Sequence, residues 1–312
     1  MKRRILALCA AAALLLTACA DGAAAAQTLQ NRKKQVVLYT TQINYNEDGT
    51  EAYRFIITHR YDEKGNLLGM DNYDGQGSRW EYLYNGDDVK VSQTYYDPDG
   101  QVDSTRTFDL NGNPVKNQRT TTIFLADGTT ETAEVITEYS YDELGRKVEV
   151  VTTENGQESL HETYTYDDAT HTGTCRTVAT TLWGSLKGDV SQWTDELTFN
   201  EDWQLLTSHY VGEAGSTGQD EVYTYDEAGN ETSCRSTGVS DWEEESSYDE
   251  EGNLLQMRYL SNGTLVYEQT STLGTLAEAL QRQENAEPAA GPAAPPPAPG
   301  RGPGTLFILL TG

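Results

Sequence analysis

From residue 36 to about residue 270 the sequence is written in short stretches where every second side chain is apolar or aromatic. "YRFIITHRY" puts Tyr53, Phe55, Ile57, His59 and Tyr61 on one face. "WEYLY" does the same with Trp80, Tyr82 and Tyr84, and "VITEYSY" with Val135, Thr137, Tyr139 and Tyr141. "YTY" occurs twice, as Tyr164 and Tyr166 and as Tyr223 and Tyr225. The opposite faces carry Arg, Glu, Thr and Ser. A period of two, rich in Tyr and Thr and cut by turns every dozen residues or so, predicts antiparallel β-strands.

The cuts share a spelling. An aromatic residue, then Asp or Asn, two free positions and a glycine begin at Tyr45, Tyr61, Tyr73, Tyr96, Phe108, Tyr141, Tyr225 and Tyr248. Looser copies begin at Tyr84, Phe124, Tyr166, Phe199 and Tyr259. Turn geometry explains the letters. Asp or Asn accepts hydrogen bonds from backbone N–H groups two or three residues on. The middle positions are right-handed and tolerant, and Pro98 in "YDPDG" suits the first of them, the second position of the turn. The glycine takes positive φ and closes a type I turn with a bulge. The acids therefore serve the chain reversal before any chemistry.

The hexamers "YDEKGN", "YDEAGN" and "YDEEGN", each followed by alternating strand residues, resemble the YD, or RHS, repeat of bacterial surface and toxin-shell proteins. The resemblance covers about residues 36 to 270 and implies a long curling β-sheet outside the cell. About a dozen units are present, with no autoproteolytic core segment and no toxin domain, so an open rolled sheet is expected rather than a closed cocoon. A dry sandwich of two sheets would also want more Leu, Ile and Val than this chain has. The expected fold is therefore all-β: a repetitive antiparallel meander forming one curved or rolled sheet, with a short C-terminal helix and a disordered tail. Its concave face would be lined by Tyr and Trp.

The termini read differently. "MKRR" followed by "ILALCAAAALLLTA" has the basic and apolar regions of a secretion signal, too short for a comfortable membrane span. The "LTAC" at its end resembles the bacterial lipobox, which implies lipidation of Cys19 and an envelope location facing away from the cytoplasm. Residues 1–18 are then a signal peptide, 19–35 a lipidated cysteine with a polar tether, and 36–272 the repeat body. "TLAEALQRQENA" has the spacing of a short helix over 273–285, and the Pro/Ala-rich residues 286–312 lack the composition of a core. Two or three acyl chains would hold the protein on a bilayer, where one would not.

Charge narrows the partners. The formal net charge is −27, spread along the chain, so phosphate-bearing nucleic acid is not an expected partner. Catalysis has little support: the four histidines show no metal-ligand spacing, and "AGSTG" at 214–218 is one letter short of a serine-hydrolase elbow. No cofactor or metal is implied. Cys175 and Cys234 occupy equivalent places in two aligned units, and two readings stand for them: a disulfide, or two small buried strand residues. The candidate ligand face is Tyr53, Trp80, Tyr82, Tyr84, Tyr139, Tyr141, Tyr164, Tyr166, Tyr223 and Tyr225. It suits a glycan, a wall polymer or another envelope protein, since these rings offer stacking surface with a polar handle. A spacer without a specific ligand and a hydrolase with an acidic site are the alternatives.

Overall fold

The computed structural model describes residues 34–285, apart from 73–76, 125–128, 184–186 and 213–217. Cys19 with its signal peptide and tether, the Pro/Ala-rich tail, Tyr73 and most of "AGSTG" lie outside the described residues. The chain forms eighteen strands in succession. They are β1 (Gln35–Tyr45), β2 (Glu51–Tyr61), β3 (Leu67–Asn72), β4 (Arg79–Tyr84), β5 (Lys90–Tyr96) and β6 (Val102–Phe108). Next come β7 (Pro114–Phe124), β8 (Thr130–Tyr141), β9 (Lys147–Glu154), β10 (Gln157–Asp167), β11 (Thr172–Thr180) and β12 (Val190–Phe199). The last six are β13 (Leu205–Val211), β14 (Gln219–Tyr225), β15 (Glu231–Gly238), β16 (Trp242–Tyr248), β17 (Leu254–Ser261) and β18 (Thr264–Thr275), followed by helix α1 (Leu276–Asn285).

Each strand pairs antiparallel with the next, and β1 pairs antiparallel with β18 from Gln35↔Thr275 to Asn44↔Tyr267. That last pairing corrects the expected open, rolled sheet. The meander closes on itself as an 18-stranded barrel, so its first and last strands protect each other and no edge needs charged tips. The scarcity of Leu, Ile and Val argued against a dry core, but a barrel of this size does not need one. Closures of 16 to 18 strands enclose a wide, wettable interior. The larger groups of buried apolar residues are three patches along the wall, Trp242, Met257, Tyr259 and Tyr267; Ile57, Met70 and Tyr82; and Val36, Leu38 and Tyr61 under α1, with Val135, Val150 and Leu197 buried apart from them.

Alternation survives in the register. Buried residues such as Ile57, His59, Tyr82, Gln93, Val150, Cys175 and Tyr259 share the inner face, while their neighbours in sequence face out. The outer wall is hydrophilic. Arg60 meets Asp71 at 2.6 Å, Arg258 meets Glu245 at 2.8 Å, and His161 meets Glu149 at 2.9 Å across neighbouring strands. Threonine pairs lie between them, Thr165 with Thr174 at 2.7 Å and Thr198 with Thr207 at 2.6 Å.

The glycine-closed reversals stand where the hexamer is written. Gly65, Gly112, Gly145, Gly229 and Gly252 all have φ between +79° and +89°. The pairing register shifts beside the motif aromatic, as at Arg60/Tyr61, Ser140/Tyr141 and Ser247/Tyr248, which is the bulge that such turns carry. The acid reaches further than expected. Asp226 Oδ1 accepts from the N–H groups of Ala228 and Asn230, two and four residues on, and its Oδ2 accepts from the Asn230 side chain. Asp249 does the same with Glu251 and Asn253.

Helix α1 begins with a capping box. The Thr275 N–H donates to Glu278 Oε2 at 2.7 Å, and the Glu278 N–H returns to Thr275 Oγ1 at 3.3 Å. It buries Leu276 and Ala279 against Val36, Leu38 and Tyr61. Gln283 ties it to β2 through both the N–H and the C=O of Tyr61, at 2.7 and 2.9 Å.

Candidate functional site

Because the strands alternate in direction, the connections after β2, β4, β6, β8, β10, β12, β14 and β16 share one rim. All eight begin with a motif aromatic: Tyr61, Tyr84, Phe108, Tyr141, Tyr166, Phe199, Tyr225 and Tyr248. The structural repeat is thus a two-stranded hairpin. In the first half the opposite rim sometimes borrows the same spelling, as at Tyr45 and Tyr96, which makes the sequence period look half as long.

The tyrosine of the motif has its own task. Tyr84 donates its hydroxyl to the Leu67 carbonyl at 3.1 Å, Tyr141 to Pro114 at 2.7 Å, Tyr166 to Lys147 at 2.7 Å, and Tyr225 to Leu205 at 2.9 Å. In each case the acceptor is the first residue of the preceding strand, just after the previous turn of the same rim. Tyr61 makes the matching bond to Val37 at 2.9 Å. The phenols therefore lace one turn to the next, and burial raises the pKa of Tyr61, Tyr84, Tyr141 and Tyr166, for Tyr84 and Tyr166 to about 12. Between β8 and β13 this rim also holds an aromatic cluster, in which Trp203 lies 5.4 Å from Phe199 and 5.8 Å from Tyr166. The Arg146 guanidinium covers both Trp203 and Tyr166 and is held by Asp142 and Asp168.

Two equivalent stations stand on the inner wall. Tyr164 donates to Glu162 at 2.8 Å beside Cys175, which faces Asp195 across β11 and β12. Tyr223 donates to Glu221 at 2.7 Å beside Cys234, which faces Glu244 across β15 and β16. Burial raises both thiols, Cys175 to about 11, with the Glu162 charge adding to it. Burial also lifts Glu231 and Glu244 to about 7, helped in Glu231 by the charge of Glu221 and in Glu244 by that of Glu231. The disulfide reading is corrected here: both cysteines are free. They stand on β11 and β15, four strand spacings or about 19 Å apart along the wall, and fit the second reading, small buried strand residues.

The ten candidate ligand-face residues all lie on the inner side of the wall, but they are not equally available. Tyr84, Tyr141, Tyr166 and Tyr225 spend their hydroxyls on the lacing, and Tyr164 and Tyr223 on their glutamates. Tyr82 is buried and Tyr139 is covered by its neighbours. Tyr53 is half exposed, beside Phe55 at 5.0 Å, and Trp80 stacks obliquely on Tyr95 at 4.6 Å. Sequence reasoning singled out aromatics and missed the inward charges. Lys90, Arg106 and Arg119 face in from β5, β6 and β7, and Glu162, Asp195, Glu221 and Glu244 face in from β10, β12, β14 and β16. Strand parity carries that signal once each bulge is placed. His59 is buried with Thr40 at 2.9 Å, and burial lowers its pKa to about 4.

No protein-family model matches the chain, and no curated protein is similar to it at a meaningful level. Among solved structures it is similar to a porin-like protein from Bacteroides uniformis, at 13% identity and a TM-score of 0.38, over 76% of this chain and 98% of that one. A porin-like protein from Bacteroides vulgatus aligns at 12% identity and a TM-score of 0.38, over 76% and 97%. The TcdB2-TccC3-Cdc42 structure aligns at 10% identity and a TM-score of 0.20, over 77% of this chain and 19% of that one.

Proposed function

We propose that the protein is a lipid-anchored, non-enzymatic binding module of the bacterial envelope, a YD-repeat barrel held by acylated Cys19 and presenting its inner wall and one rim to a glycan, wall polymer or envelope protein. The observation that carries this reading is where the barrel's first strand begins and its last strand ends. Lys34 and α1 meet at the laced rim, where the Leu276 N–H donates to the Lys34 carbonyl at 3.0 Å. A tether from Cys19 would enter at that rim and span at most about 50 Å. The opposite rim would then point away from the bilayer. That rim is where the connections differ from one another, from the tight Asn155-Gly156 and Asn262-Gly263 reversals to the nine residues 181–189. Unlike loops on a rigid frame are the usual place for recognition.

The outer wall supports the same reading. A barrel wall in hydrocarbon needs a band of apolar residues flanked by aromatic girdles. Here the outward positions of mid-strand β12 are Gln192, Thr194, Glu196 and Thr198, and cross-strand ion pairs stand on several others. Such a wall suits water.

Two experiments test the proposal. Palmitate labelling should mark the wild type and not Cys19→Ala; equal label in both would remove the anchor. On an array of glycans and wall polymers, Tyr53→Ala and Trp80→Ala should weaken a bound signal. A wild type that binds nothing on the array or in envelope extracts would leave the spacer role instead.

A further inference from the structure

The chain carries 49 acidic residues against 22 lysines and arginines. In such a chain an arginine should find a carboxylate, and on the outer wall Arg54, Arg60, Arg79 and Arg258 each hold one between 2.6 and 2.9 Å, while Arg176 donates to the Gln192 amide and Arg235 stands directly across from Glu243. The inner face of β5–β7 is different. Arg106 stands directly across from Gln93 on one side and Asn117 on the other, and Arg119 is the next inward residue along β7. This diagonal places the two arginines about 7–8 Å apart at the backbone. Among the described residues neither forms an ion pair or a hydrogen bond. Both are partly exposed.

A second observation points to the same place. Gln93 is 1% exposed, yet neither of its amide atoms has a hydrogen-bond partner among the described residues, and the hydroxyl of Tyr82 opposite it has none either. A buried amide without partners is costly, and native walls rarely keep one without a use. Tyr139 feels the charge of both Arg106 and Arg119, so the two guanidiniums converge near one ring. Lys90 adds a third positive group above the Phe108 ring at 4.2 Å, with its pKa lowered to about 8 by burial and by Arg106. Asp103, in the bulge of β6, feels the Arg119 charge without forming an ion pair with it, and the inward acids Glu162, Asp195, Glu221 and Glu244 stand on β10 to β16.

We propose that the inner face of β5–β7 is an anion-binding site, in which Arg106 and Arg119, with the Gln93 amide, take a phosphate- or carboxylate-bearing ligand. Guanidinium forks match such oxyanions bidentately, and this gives geometric selectivity as well as charge. The inward carboxylates of β10–β16 repel the same ligand and confine it to this sector. The inference rests on the barrel being a binding module and names the chemistry of its ligand.

Calorimetry at low salt, with the whole protein, tests it using three probes: glycerol phosphate, glucuronate and neutral maltose. The first probe separates a phosphate ligand from the carboxylate of the second. At least one of these two should bind the wild type, and the binding should weaken as sodium chloride is added. Arg106→Gln and Arg119→Gln should each weaken it roughly tenfold or more, while outward-facing Arg235→Gln should not. Without ligand, the Arg106→Gln/Arg119→Gln pair should melt no lower than the wild type, since it removes two unpaired like charges. The inference is overturned if neither anion binds, if both variants bind like the wild type, or if the double variant melts well below it. Maltose binding with no anion binding would also overturn it, and would leave the broader role standing.

Discussion

Tyr141 shows what a single side chain does in this wall. Its hydroxyl holds the Pro114 carbonyl at 2.7 Å, and Tyr141→Phe removes the donor while keeping the ring. The loss should destabilise the fold by about 1 kcal/mol, the net worth of one such bond. Tyr53→Phe, at a half-exposed ring, should change little, and urea melts of the two variants check the contrast. Glu231 and Glu244 make a second prediction. Their folded-state pKa is raised from the ordinary carboxylate value to about 7. The folded protein therefore binds more protons than the unfolded chain between about pH 4.5 and 7. Stability from these groups is fully present below that window and falls as pH rises through it. The melting temperature should drop between pH 5 and pH 8, and Glu231→Gln with Glu244→Gln should flatten the drop. A flat wild-type profile would contradict it.

The turn is the element the sequence spells out most fully, because its requirements are local. Gly252 has φ of +81°, and a Cβ there would meet only Asn230 Oδ1 at an ordinary 3.8 Å, so Gly252→Ala is penalised by backbone conformation alone, at roughly 1–2 kcal/mol. Gly86 lies in the loose copy "YNGDD", where Asp88 takes the positive φ instead, and Gly86→Ala should be nearly neutral. Equal losses in the two variants would mean that the motif glycine is not there for its φ. Strand alternation was legible for the same local reason, and it placed Tyr82, Tyr164 and Tyr223 on one face. The lacing was not legible. Its acceptors are backbone carbonyls on the preceding strand, and a carbonyl has no letter. The inward arginines were hidden too, since Arg106 and Arg119 fall on the inner face only after the register of β5–β7 is known.

At the level of the molecule the decisive relation is that between β1 and β18. Residues 35–45 and 264–275 lie far apart in the chain, and neither carries a turn or motif that names the other, so closure could not be read locally. Polar composition by itself reads as the sign of an open sheet. The interior answers this by tolerating Gln93, Asp195 and Gln269 among its tyrosines. Closure also gives the molecule two unlike rims: a laced one where the chain enters and α1 packs, and one of diverse loops.

Cross-linking that seam tests the barrel most directly. Thr41 and Thr270 are cross-strand partners of β1 and β18, a separation that suits a disulfide. After mild oxidation of Thr41→Cys/Thr270→Cys, peptide mapping should find a link between these two positions within one chain and no loss of thermal stability. Recovery of both thiols free, or linked only between molecules, would mean that the sheet does not close.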